Sequence, residues 1–143
     1  MVESTNFQFV KKTEEGYKIV TESIPTPSAG KVLIKIAYST CNPSDRYTYR
    51  LAAYERLGGD GSGIITAVGD GINDSFIGKK VAFSGGGWGQ YKESTTDMLI
   101  FLDDSQDLSK APFSFVNPLT AIAQLALAKK HGAKASISMA ASS

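Results

Sequence analysis

The distribution of glycine constrains this chain more than any other feature. Seven of its fourteen glycines fall in residues 57–83, LGGDGSGIITAVGDGINDSFIGKKVAF, interleaved with β-branched residues. A phosphate-binding loop is one reading of such a stretch. The dinucleotide fingerprint G-x-G-x-x-G, however, needs a strand before it and a helix opening on it, so that the helix N-terminus faces the pyrophosphate. No three glycines here have that spacing. After Gly63 comes Ile64-Ile65-Thr66-Ala67-Val68, which reads as strand. The glycines therefore serve tight turns and close backbone approach in a β-structure.

Upstream, the pattern is also that of strands. Phe7-Gln8-Phe9-Val10 alternates, Glu15-Gly16 is a turn, and Tyr17-Lys18-Ile19-Val20 is a second short strand. Pro25 and Pro27 remove ladder donors and make residues 24–30 a loop. That loop feeds residues 31–38, the clearest alternation in the chain, with Val32, Ile34 and Ile36 on one face and Leu33 on the other. In Cys41-Asn42-Pro43-Ser44-Asp45, Asn-Pro starts a turn, and Asn42 could cap a short helix with Pro43 at its first position. The cluster Tyr47, Tyr49, Arg50, Tyr54 and Arg56 can line a cleft, stack on bases, or form an amphipathic surface, and composition favours the surface.

Downstream, residues 84–90 read as a flexible loop carrying the single tryptophan, Trp88, and residues 91–96 and 98–102 as strands. The character changes at Asn117, a suitable N-cap before Pro118 at the first helical position. Leu119, Ile122, Ala123, Ala126 and Leu127 then share one helical face. Lys129, Lys130 and His131 oppose the dipole of the last turn, Gly132 stops the helix, and a strand starts at Ala135. His131 is thus read as a helix-end residue rather than a ligand or base.

Totals narrow the function classes. A length of 143 residues suits one domain, and 15 basic against 14 acidic residues give no broad basic surface for nucleic acid or membrane. One cysteine excludes an intrachain disulfide, and one cysteine with one histidine argues against a Cys/His zinc site. With no signal-like N-terminus and no run expected to approach membrane-spanning length, the chain reads as soluble and cytoplasmic.

Several motifs together resemble a known family. The strand at residues 30–38 followed by Asn42-Pro43-Ser44-Asp45 resembles the early part of medium-chain dehydrogenase/reductases, in the quinone oxidoreductase and zeta-crystallin branch. Gly59-Asp60-Gly61-Ser62-Gly63, running on to Gly69 and to Gly78-Lys79-Lys80-Val81, resembles the GroES-like catalytic domain of that family, and Val116-Asn117-Pro118-Leu119-Thr120-Ala121 its junction into the cofactor domain. The resemblance implies a mainly β fold: a GroES-like, partly open β-barrel over residues 1–116, then a junction helix and first strand of a Rossmann domain over residues 117–143.

Two departures from the family pattern bear on chemistry. Zinc-dependent relatives place a cysteine three residues before the aspartate matching Asp45, where this chain has Asn42; Cys41 is one residue out of register. Where they have Gly-His-Glu, this chain has Gly58-Gly59-Asp60. A catalytic zinc needs about three protein ligands, so the zinc-free branch is implied, with no metal site. The resemblance also puts the phosphate loop after Met139, where Ala140-Ala141-Ser142-Ser143 stands, so a truncated chain is expected.

The implied activity is hydride transfer from NADPH to a quinone or activated alkene, for which the protein positions the nicotinamide and stabilises charge on the reduced substrate. By the resemblance, Tyr47 and Asp45 are the catalytic candidates, Tyr47 through its hydroxyl and Asp45 as an orienting acceptor. Asn42 and Thr120 are the cofactor-contact candidates, with turn and helix capping as the alternative role of both. The 143-residue chain alone is expected to bind no NADPH, to be inactive, and to self-associate through residues 117–143. A stand-alone β-domain acting as a binding or scaffold module is the alternative, and a GroES-type co-chaperonin a more distant one.

Overall fold

A computed structural model describes residues 5–45 and 56–135. It is mainly β. Strands β1 (Asn6–Thr13) and β2 (Gly16–Ser23) form an antiparallel hairpin. Strands β3 (Val32–Ser39), β4 (Gly61–Val68), β5 (Lys80–Phe83), β6 (Tyr91–Ser94) and β7 (Leu99–Phe101) form a second, antiparallel sheet in the order β6-β3-β4-β5-β7. The bridges Phe9 to Gly89 and Lys11 to Arg56 tie the hairpin to segments preceding β6 and β4. The two sheets make the partly open β-barrel that the family resemblance implies.

The core follows the alternation of β3. Val32 and Ile34 are fully buried with Ile65, Val81 and Phe83, and Ile36, Val68, Ile72, Phe76 and Leu99 pack around them. Leu33, on the opposite face, is buried too. The β3–β4 register shifts between Leu33 and Ile34 and again between Ile36 and Tyr38, bulges that sharpen the twist of the sheet. A smaller cluster of Ala82, Leu102 and Ala111 seats the 3-10 turn Ala111–Ser114 near the sheet.

Several boundaries differ from the sequence reading. Strand β4 starts at Gly61, because the glycine backbone is paired on both sides, to Ser39 of β3 and Phe83 of β5. The strand expected at 98–102 is shortened by a 3-10 turn at Thr96–Met98. Residues 84–90 are not a free loop; they are tied by backbone bonds to Gln8, Val10, Leu57 and Gly58. Helix α1 (Val116–Lys130) begins one residue before the expected cap, so Asn117 and Pro118 lie inside its first turn. Proline's missing N–H is harmless anywhere in that turn and does not fix the start.

The end of α1 is as read: Lys129 and Lys130 lie in its last turn, and Gly132 at φ +63° donates to Lys129 O. Its apolar residues are exposed all round, Leu125 as well as Leu119, Ile122 and Leu127. With the preceding 3-10 turn it makes a 20-residue helical stretch, Ala111–Lys130, apolar and long enough by those two criteria to cross a membrane. The sequence reading started this helix at 117 and so expected no such run. Beyond Ala135, the expected strand lies outside the described residues.

Candidate functional site

Three stretches of backbone converge at one end of the barrel. They are the end of β3 with the turn after it (residues 39–45), the approach to β4 (57–60), and the loop before β6 (84–90). The carbonyl of Asp60 is the node. It accepts from Thr40 N at 3.0 Å, Thr40 Oγ1 at 3.2 Å and Ser39 Oγ at 3.1 Å. Trp88 Nε1 donates to Thr40 O at 3.0 Å, closing the loop onto the same segment.

Within the turn, Asn42 and Asp45 divide the capping roles differently from the sequence reading. The Asp45 carboxylate reaches back to accept from Asn42 N at 2.7 Å, and Asp45 N donates to Asn42 O at 3.0 Å. Asn42 does not use its side chain as a cap. Its Nδ2 donates to Thr40 Oγ1 at 3.0 Å, which turns the amide toward the end of β3. Asp45 is 4% exposed and Asp60 2%. Cys41, between Thr40 and Asn42, is exposed.

Gly59 is held close to Asp45. A Cβ at position 59 would meet Asp45 Oδ1 at 2.7 Å, so any side chain there displaces the carboxylate. This is the position at which the zinc-dependent pattern carries histidine, and the carboxylate fills the space beside it. Among the described residues no group of three or more His, Cys, Asp or Glu side chains is arranged to hold a metal ion.

Asp60 faces both ways. Its Oδ2 accepts from Val116 N at 3.2 Å, capping α1 from a distant segment, while Oδ1 is buried without a partner. Thr120, one turn along α1, donates to Val116 O at 2.8 Å. That bond ties its hydroxyl to its own helix, a common arrangement for threonine in a helix. Asn42 and Asp45 are thus brought together, and among the described residues Thr120 connects to Asn42 through Val116, Asp60 and Thr40. Tyr47, with Tyr49, Arg50 and Tyr54, lies outside the described residues.

Sequence reasoning missed Thr40, the capping role of Asp60 and the anchoring of Trp88. A lone tryptophan beside a glycine run was the available signal, since a buried indole N–H needs an acceptor. An open cavity of about 550 Å³, lined by Lys35, Thr66, Gln90 and Tyr91 among others, touches the 84–90 loop at Gln90.

A mainly β barrel with a carboxylate–amide turn at one end and a helix leaving beside it defines a class. The family model of the alcohol dehydrogenase GroES-like domain matches residues 28–104 of the 143. The chain belongs to that family. It is 41% identical over 69 residues to the starvation-sensing protein RspB of Escherichia coli K12, covering 45% of this chain and 20% of RspB.

Among solved structures it superposes on one assigned as an NADPH:quinone reductase of Mesorhizobium loti, with TM-score 0.76 and 26% identity over 92% of this chain and 46% of that one. The quinone oxidoreductase of Coxiella burnetii gives TM-score 0.75 and 22% identity, over 87% of this chain and 45% of that one. An Escherichia coli CFT073 alcohol dehydrogenase solved with NADH gives 0.67 and 20%, over 77% and 42%. The last two likenesses speak for the fold alone. The chain spans less than half the length of these relatives.

Proposed function

We propose that this chain supplies the catalytic domain of a zinc-independent, NADPH-dependent oxidoreductase that passes hydride to a quinone or activated alkene. In this reading residues 1–116 are the catalytic domain, and residues 117–143 open a nucleotide-binding domain. The observation that carries it is the site around Gly59. A glycine stands where zinc-dependent relatives have histidine, Asn42 where they have cysteine, and the Asp45 carboxylate fills the space beside Gly59.

The donor set suits a nicotinamide carboxamide. One N–H of the Asn42 amide is given to Thr40 Oγ1, which leaves the other N–H and the amide oxygen for a complementary amide. Bound NADPH supplies the hydride. Asn42 orients the carboxamide, and Asp45 fixes Asn42 by holding its backbone N–H. In this reading the Tyr47 hydroxyl would donate to the substrate oxygen that gains charge, and Thr120 would contact the nicotinamide side. Charge on the reduced substrate is met by hydrogen-bond donors in place of a Lewis acid.

These 143 residues contain no G-x-G-x-x-G, so the chain by itself binds NADPH negligibly and turns over no substrate. Its exposed helix side chains favour self-association through residues 117–143. A small-molecule substrate, no nucleic-acid or membrane partner and a cytoplasmic location complete the reading.

Reading the coding DNA past the codon for Ser143 tests it. A following glycine-rich strand–loop–helix, and NADPH oxidation by the longer product with a quinone in the presence of a chelator, are the results expected. A stop codon there would favour a stand-alone binding module.

A further inference from the structure

Lys92 is a cation held inward by a loop. Its Nζ donates to Ser84 O at 3.1 Å and to Gly85 O at 2.6 Å, and it stands 4.4 Å from the centroid of the Phe83 ring. Ile34 is its register partner on β3. Its neighbours on β6 engage other partners: Tyr91 meets Phe7, and Glu93 meets Ser28 and Lys31. The bonds and ring contact recorded for the ammonium are thus with carbonyl dipoles and a ring face rather than with a carboxylate.

The loop that Lys92 grips is one wall of the candidate site. Gly86 N donates to Gly58 O at 2.8 Å, Trp88 N to Leu57 O at 3.0 Å, and Trp88 Nε1 to Thr40 O at 3.0 Å. A Cβ at Gly58 would stand 2.6 Å from the Trp88 ring, so the wall packs closely against the approach to β4. On that side the acidic residues are Asp60, which meets the loop near its backbone carbonyl, and Asp45, whose carboxylate stands beside Gly59; the ionisable sequence neighbour of Thr40 is Cys41. Trp88 thereby joins the loop to Thr40, whose N–H and hydroxyl meet the Asp60 carbonyl.

We propose that the charge of Lys92 fastens the 84–87 loop and thereby sets the wall of the candidate site, making Lys92 a positioning residue. Charged donors bind carbonyls about twice as strongly as neutral ones, and a neutral amine loses its attraction to a ring face. Burial pushes the Lys92 ammonium down to about 8, within the range where a protein is handled. Loss of the proton slackens the grip on Ser84 and Gly85 and lets Trp88 move.

Trp88 is the sole tryptophan, so its emission reports the wall directly. In the 143-residue chain, titrated from about pH 6.5 to 9.5, the emission maximum shifts with a midpoint about 8. Lys92→Arg, whose guanidinium stays charged throughout, holds the neutral-pH emission with no transition. Lys92→Met shows the alkaline emission at every pH, and Cys41→Ser keeps the wild-type transition. No transition in the wild type, its persistence in Lys92→Arg, or its loss in Cys41→Ser would overturn the proposal. If Lys92→Met fails to fold by circular dichroism, Lys92→Arg alone decides.

Discussion

Asp60 Oδ2 accepts a hydrogen bond from Val116 N at 3.2 Å, across 56 residues of sequence. A residue at the approach to β4 thereby caps the helix that leaves the barrel. The residue before that helix, Phe115, provides no side-chain cap. The carboxylate serves twice, since an anion near a helix N-terminus is also favoured by the macrodipole.

Removing this cap should loosen the start of α1 more than the barrel. A charge-assisted bond is worth about 1.5–3 kcal/mol. In Asp60→Ala we expect amide exchange at Val116 to accelerate about tenfold or more, while the exchange of β3 amides changes little. Equal acceleration at both places would show that Asp60 supports the barrel as a whole.

Positions 58 and 59 should respond differently to a methyl group. In Gly59→Ala the Cβ meets the tip of Asp45, which can swing away, and the cost is about 1–2 kcal/mol. In Gly58→Ala the Cβ meets the Trp88 ring at 2.6 Å, and φ is +98°. There the cost should be about 2–4 kcal/mol. Urea midpoints give the order; a larger loss at position 59 would contradict the geometry.

Much of this was legible in the sequence, and the exceptions share a cause. The alternation of Val32, Ile34 and Ile36 marks β3 and its core-facing side, whereas the barrel follows from the family resemblance. Gly59 and Asn42, standing where the zinc pattern has ligands, mark the candidate site. Contacts of long sequence separation were not legible. Nothing near Asp60 announces a helix 56 residues away, and nothing in residues 84–87 announces the lysine that holds them. Periodicity puts Leu119, Ile122 and Leu127 on one face of α1, but it records where apolar residues lie and not what covers them, and Leu125 is exposed as well.

Acid should weaken the junction between the loop 24–31 and β6. Burial raises the Glu93 carboxyl, but bonds from Ser28 N and Oγ, together with Lys31, outweigh it and hold it below the usual carboxylate range. Because the folded state binds the proton less readily than the unfolded one, this stability is present above about pH 4.5. It is lost as pH falls through the folded value. Glu93→Gln should flatten the fall in thermal midpoint below that pH; an unchanged slope would assign the acid sensitivity elsewhere.

The uncovered side chains of α1 should drive association. Leu119 is 53% exposed and Ile122 61%. Light scattering of the wild-type chain should show mass rising with concentration, and Ile122→Asp should suppress the rise. A monomer at every concentration in the wild type would remove the proposed self-association.

In the proposed reading, this domain's site is built for chemistry without a metal. Cobalt(II) titration followed by visible absorption tests it most directly, because a tetrahedral site of protein ligands gives intense bands where hydrated cobalt does not. With Gly59 and Asn42 in place of imidazole and thiolate, no saturable one-to-one tetrahedral spectrum is expected. A stoichiometric tetrahedral spectrum, abolished by Asp45→Asn or Asp60→Asn, would contradict it.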